Sequence, residues 1–210
     1  PVSRYVVHCD WVKAMFERVY GPRIVTWAVG IDTEVWRPSP VAGKTVDFLI
    51  YDKVRWDTER VHRAMVDPIR RPLEQKGLPG GPTRKAANRP TVPKEAFSRA
   101  RALLFLCEHE TQGLAYQQAM AAGLPVLAWE PGQWLDPWRF RYNESFVPAT
   151  TVPFFDERCG STFTNAADFP VALDTFLHRL PSFDPRAYIE ETLTLELASA
   201  NYLRLLEVHA

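Results

Sequence analysis

Residues 108–129 read E-H-E-T-Q-G-L-A-Y-Q-Q-A-M-A-A-G-L-P-V-L-A-W. The alanine-rich run predicts a helix over 114–122 that stops at Gly123, and P-V-L-A-W that follows predicts a short buried strand. Just upstream, A-L-L-F-L-C reads as another buried strand. A simple structural helix has no need of the Glu110-Thr111-Gln112-Gly113 lead-in. Gly113 lacks a Cβ, so phosphates can approach the backbone there. A helix opening at Leu114 presents unpaired N–H groups and the positive end of its dipole, which suits an anion. Glu110 stands at the carboxyl end of a strand, where open α/β sheets bind ligands. A carboxylate beside a phosphate cradle makes sense when it accepts hydrogen bonds from sugar hydroxyls. Gln118, one turn beyond Leu114, reaches toward a second set of hydroxyls. The plainer alternative is a strand, loop and helix whose leading acids only favour the dipole.

Outward from this stretch the same alternation continues. T-V-D-F-L-I-Y from Thr45 is a strand, Glu59–Lys76 a basic helix kinked or divided by Pro68 and Pro72, and Lys94–Ala102 a further helix. Strands that are apolar throughout, alternating with helices, specify an α/β fold with a parallel sheet covered by helices on both faces. Residues 77–93, L-P-G-G-P-T-R-K included, have neither periodicity and read as a loop. In residues 1–40 a helix begins at Asp10 as N-cap, turns Trp11, Met15, Phe16 and Val19 to one face, and stops at Gly21-Pro22. R-I-V-T-W-A-V-G is then a strand ending at Gly30, before a proline-bearing connector. The tail carries two amphipathic helices capped by Asp168 and Asp184, the second running unbroken through L-R-L-L.

The 210 residues carry 25 basic and 25 acidic side chains, so no bulk charge favours nucleic acid or an anionic surface. No apolar run approaches the roughly 18 residues of a transmembrane segment. Cys9, Cys107 and Cys159 are too few and scattered for a disulfide framework, and a reduced, cytoplasmic protein is expected. The chain opens at Pro1 without an initiator methionine, so a fragment, a processed form or missing disordered residues is expected.

E-T-Q-G-L-A-Y-Q-Q-A-M-A-A-G-L-P-V-L-A resembles the signature of retaining GT-B glycosyltransferases: Glu, seven residues, then Glu, framing a Gly-Leu helix start and running on as Ala-Met-Ala-x-Gly-x-Pro-Val. Glu110 matches the first acid and Gly113-Leu114 the phosphate turn; the second acid position holds Gln118 instead of Glu. V-T-W-A-V-G-I-D-T-E-V-W-R-P resembles the family's segment where the chain leaves the amino-terminal domain. The resemblance implies a Rossmann-like half of a GT-B fold: residues 1–40 ending the amino-terminal domain, 41–183 binding the nucleotide sugar, and 184–210 a terminal helix. It implies that Glu110 contacts the donor sugar and Gln118 the ribose, where a glutamine carbonyl accepts without the strength of a charge. It further implies an Arg and a Lys after the first strand of this domain, meeting the departing diphosphate.

That position is Y-D-K-V-R-W-D-T-E-R, which offers Lys53, Arg55 and Arg60; Lys53 and Arg60 are the expected pair. Glu130, just after P-V-L-A-W, faces the same end of the sheet and is a further donor-binding candidate. No metal ligand set is expected: Cys107 and His109 lack third and fourth partners, and no Asp-x-Asp motif occurs. His8-Cys9-Asp10 is no triad, since adjacent side chains point apart. Trp129 to Trp138 is expected to plug a loop, and T-V-P-F-F-D-E-R-C-G to form a packed turn. The expected activity is transfer of a sugar from a nucleoside-diphosphate sugar, with retention, to an unknown glycan or small-molecule acceptor, needing no metal or other cofactor. The missing amino-terminal domain is the expected partner of this half. The alternative is a non-catalytic nucleotide-sugar or sugar-phosphate binding module of the same fold, which Gln118 favours. A third is a sugar-phosphate epimerase of that fold.

Overall fold

The computed structural model of the protein describes residues 3–40, 43–78, 84–85, 93–138 and 146–207. Its centre is a five-stranded parallel sheet built from β3 (Val46–Asp52), β4 (Arg84–Lys85), β5 (Ala100–Leu106), β6 (Val126–Trp129) and β7 (Gly160–Phe163), in the order β4-β3-β5-β6-β7. A separate two-stranded parallel sheet pairs β1 (Tyr5–Val7) with β2 (Ile24–Thr26), joined by α1 (Asp10–Tyr20).

The apolar strands lie where parallel-sheet physics puts them, covered on both faces. On one face Leu103, Phe105 and Val126 pack with Tyr116, Met120 and Ile189. On the other, Leu104, Leu106 and Leu127 pack with Met65, Ile69, Leu73, Phe169 and Phe176. The first face is covered by α5 (Leu114–Ala121) and α7 (Pro185–Thr192), the second by α3 (Asp67–Gln75) and α6 (Phe169–Arg179). No helix among the described residues is long and apolar enough to cross a membrane.

Several local expectations are corrected. The helix expected over Lys94–Ala102 is α4 (Lys94–Arg99); Ala100 already belongs to β5, because its backbone pairs with Val46 of the neighbouring strand. The basic helix is α2 (Thr58–Val61), a π-helical turn His62–Val66, then α3. The wider turn, closed by the Asp67 amide on His62 O, delivers Pro68 to the start of α3, where a missing N–H costs nothing. Pro72 stays inside α3. Within 77–93 a two-residue strand, Arg84–Lys85, pairs at the sheet edge with Tyr51 and Asp52; of the rest of that segment, 79–83 and 86–92 lie outside the described residues.

α1 is capped by Cys9, with Asp10 as its first residue, and buries Val12, whereas Val19 is 70% exposed. β2 ends at Thr26, four residues short of Gly30. Asp184 caps α7 as expected, accepting from Ala187 N; Asp168 makes no such bond to α6. The unbroken terminal helix is instead α7 and α8 (Leu195–Glu207), interrupted at Leu193–Thr194. The connector causes the break: Ile31 N bonds Leu193 O at 2.7 Å, and Ile31 bridges Thr194. Gly30 permits this contact, since a Cβ there would lie 2.6 Å from Thr194 O. Thr151, Val152 and Cys159 are buried, so the segment before β7 is packed. Trp129 is buried in β6, Trp134 meets the His109 ring edge-on, and Trp138 is 52% exposed.

Candidate functional site

All strands of the main sheet run the same way, so the loops after β3, β5 and β6 meet at one edge. They carry Lys53 and Arg55, Glu108 to Glu110, and Glu130 respectively. At this edge Lys53 Nζ forms an ion pair with Glu110 Oε1, and Arg55 Nη2 lies 3.7 Å from the same oxygen. Cys107 Sγ is 3.6 Å from it as well. Glu110 is only 7% exposed, and its Oε2 makes no hydrogen bond among the described residues. Burial raises the Cys107 thiol pKa well above its ordinary value, so the group stays a neutral donor.

The loop after β3 is held in place from the next strand. Glu108 Oε1 accepts from Arg55 N at 2.8 Å and Trp56 N at 3.1 Å. Arg55 then lies over the Trp56 ring at 5.7 Å, and Trp56 stacks on His109 at 5.1 Å. Glu108 is buried, and its desolvation raises its pKa against those two amide hydrogen bonds. The sequence reading passed over Glu108; an acid immediately following an apolar strand was the available signal.

His109 is 6% exposed among Trp11, Trp56 and Trp134. Burial pushes its pKa down to about 4; Arg55 and Lys53 add to this and Asp136 opposes it. The unfolded chain, titrating near 6.5, binds the proton first as pH falls, so the stability held by neutral His109 is present above 6.5 and lost toward 4. The full loss is about 3 kcal/mol. Glu108, with a raised pKa, acts in the opposite sense. A His109→Phe chain is therefore expected to lose less stability than wild type between pH 6.5 and 4, as followed by thermal melting; equal losses refute this assignment.

Gly113 precedes α5 with φ +82, and a Cβ there would stand 2.1 Å from the Tyr116 ring. Leu114 is exposed at the helix start. Gln118 is half-buried on α5 and makes no side-chain hydrogen bond among the described residues. Glu130 is occupied within the protein: Oε2 accepts from Thr150 Oγ1 and Thr151 N, and Oε1 from Gly132 N. Thr150 O in turn receives Glu110 N at 3.0 Å, so Glu130 braces the Glu110 loop. Arg60 is not brought to the cluster. Its side chain is 73% exposed and pairs with Asp57 within its own turn, because its helix carries it outward. Arg55 occupies the place expected for Arg60.

Two further contacts tie this edge to the amino-terminal unit. Trp11 Nε1 donates to Glu110 O at 2.9 Å, and Gln112 exchanges hydrogen bonds with Val29, accepting from its N–H and donating to its carbonyl. Among the described residues no three His, Cys, Asp or Glu side chains gather as metal ligands.

No family model matches the chain, and no curated protein matches its sequence. Solved structures do match. A pneumococcal O-GlcNAc transferase, GtfA, solved with UDP and GlcNAc, aligns with 99% of this chain and 46% of its own at TM-score 0.61 and 15% identity. TarM aligns with 97% of this chain and 43% of its own at TM-score 0.64 and 13% identity. A glycosyltransferase from Rickettsia africae aligns with 97% of this chain and 62% of its own at TM-score 0.65 and 12% identity. The chain thus has the α/β fold of GT-B glycosyltransferase structures and spans less than two thirds of the length of each.

Proposed function

We propose that this chain is the nucleotide-sugar-binding part of a retaining glycosyltransferase. The observation that carries the reading is the convergence of Lys53 and Arg55 on buried Glu110, beside the glycine-led start of α5, at the carboxyl edge of a parallel sheet. In transfer, the bond from the anomeric carbon to the diphosphate breaks and its electron pair leaves with the diphosphate. The acceptor hydroxyl oxygen bonds the carbon on the same face and gives up its proton to the departing diphosphate. Developing charge on the diphosphate is what the protein must stabilise. Lys53, Arg55 and the N–H groups at Gly113-Leu114 supply that here, and the reading calls for no divalent metal. Glu110 Oε2 accepts from the donor sugar, and Gln118 from the ribose. An amino-terminal partner domain brings the acceptor, a glycan or small molecule. The three cysteines are unpaired, which fits a reducing, cytoplasmic setting. A second reading, a binding module without turnover, is favoured by the neutral side chain of Gln118.

Calorimetric titration with UDP, GDP and ADP tests the binding claim. Micromolar binding of one of them is expected, and Arg60→Ala should change its Kd by less than about twofold, as for an exposed charge paired on its own helix. Absence of binding by all three defeats the reading. Release of free nucleoside diphosphate from a sugar-nucleotide panel by the protein joined to its amino-terminal partner separates enzyme from binding module.

A further inference from the structure

The occupied state of Glu110 has a consequence for which nucleotides bind. Lys53, Arg55 and the Cys107 thiol all address one oxygen, Oε1, of a carboxylate that is 7% exposed. A diphosphate bound at this edge competes for Lys53 and Arg55. Drawing them away leaves a desolvated carboxylate short of partners, which is among the costlier arrangements in a protein. A sugar-bearing nucleotide offsets that loss, because its hydroxyls donate to Glu110 as the cations turn to phosphate. A bare nucleoside diphosphate brings no such donor.

We infer that Glu110 is a specificity residue that selects the sugar-bearing donor over the spent nucleoside diphosphate, by holding Lys53 until a sugar hydroxyl replaces it. The inference rests on the donor-site reading above and adds a direction to it: the pair weakens product binding and so promotes product release. The geometry favours this over simple repulsion between carboxylate and phosphate. Lys53 and Arg55 are more exposed than Glu110, 23% and 41% against 8% for the side chains, so an arriving anion meets cations already paired. The penalty arises from breaking that pair and should fall when Lys53 is absent.

The test is a double-mutant cycle read by calorimetry, with wild type, Glu110→Gln, Lys53→Ala and the double variant. The probes are whichever of UDP, GDP and ADP binds wild type, and the glucose ester of that nucleotide. Glutamine keeps the size of the side chain and removes the charge that holds Lys53, and melting curves establish that each variant is folded. Glu110→Gln is expected to bind the bare diphosphate about tenfold more tightly than wild type, as for loss of one charge-assisted partner. Its gain for the glucose ester should be smaller, so the preference for the ester falls. In the Lys53→Ala background the gain for the bare diphosphate should shrink to what the longer Arg55 contact sustains. Unchanged or weaker diphosphate binding by folded Glu110→Gln overturns the inference while the donor-site reading stands. An undiminished gain without Lys53 overturns it too, in favour of plain repulsion. If no nucleotide binds any of the chains, the donor-site reading fails and the inference falls with it.

Discussion

Lys53→Ala is expected to weaken binding of the nucleoside diphosphate by about 10- to 100-fold, since a hydrogen bond to a charged group contributes about 1.5–3 kcal/mol and each 1.4 kcal/mol is tenfold. Lys53 directly follows β3, and its backbone N–H is bonded to Leu106 O at 2.8 Å, so its origin is fixed by the sheet. Its ammonium is already directed to the cluster through Glu110. Arg55 remains beside Glu110 in the variant, which keeps the carboxylate partly paired and limits the loss of folding stability. The measurement is the Kd by calorimetry, beside a melting curve. A folded Lys53→Ala chain that binds as tightly as wild type removes Lys53 from the site.

Gly113→Ala is expected to destabilise the fold by about 2–5 kcal/mol. The left-handed conformation, φ +82, costs a residue with a Cβ about 1–2 kcal/mol, and forcing an atom into a filled space adds about 1–3. That space is filled by Tyr116, which is wholly buried and whose ring would lie 2.1 Å from the new carbon. The ring has little freedom to withdraw, because its hydroxyl accepts from Phe154 N at 3.1 Å. For a chain of this size the melting temperature should fall by roughly 5–15 °C. Introducing Gly113→Ala into a Tyr116→Ala background tests the cause, since only the backbone part of the loss should remain. A full-sized loss there places the strain elsewhere.

Gly113 shows how one residue can be read correctly for position and incompletely for reason. Its place ahead of an alanine-rich helix marks the turn from sequence alone. That the Tyr116 ring needs the missing Cβ is visible only when α5 is folded against the loop. The same division runs through the site. Glu110 could be nominated because it follows an apolar strand, and parallel strands bring their carboxyl ends to one edge; Lys53 was nominated by the resemblance alone. Arg55 and Arg60 could not be ranked in that way. They are five residues apart in a stretch without periodicity, and Glu108, 53 residues from Arg55, sets the loop that separates their fates.

The sequence by itself determined the α/β class, the three central strands β3, β5 and β6, and the sheet edge where the candidate site lies. Those follow from local signals: strands apolar throughout because both faces are covered, helices started by glycine or aspartate, and turns marked by Gly and Pro. Tertiary structure decided which cation pairs with Glu110, the bracing by Glu130, and the break of the terminal helix at Leu193–Thr194. Each of these depends on contacts between distant segments: Glu108 with the loop after β3, Glu130 with Thr150–Thr151, and Ile31 with Leu193–Thr194. Local propensity carries no information about them, because hydrogen-bond partners far apart in the chain are chosen only when packing has brought them together.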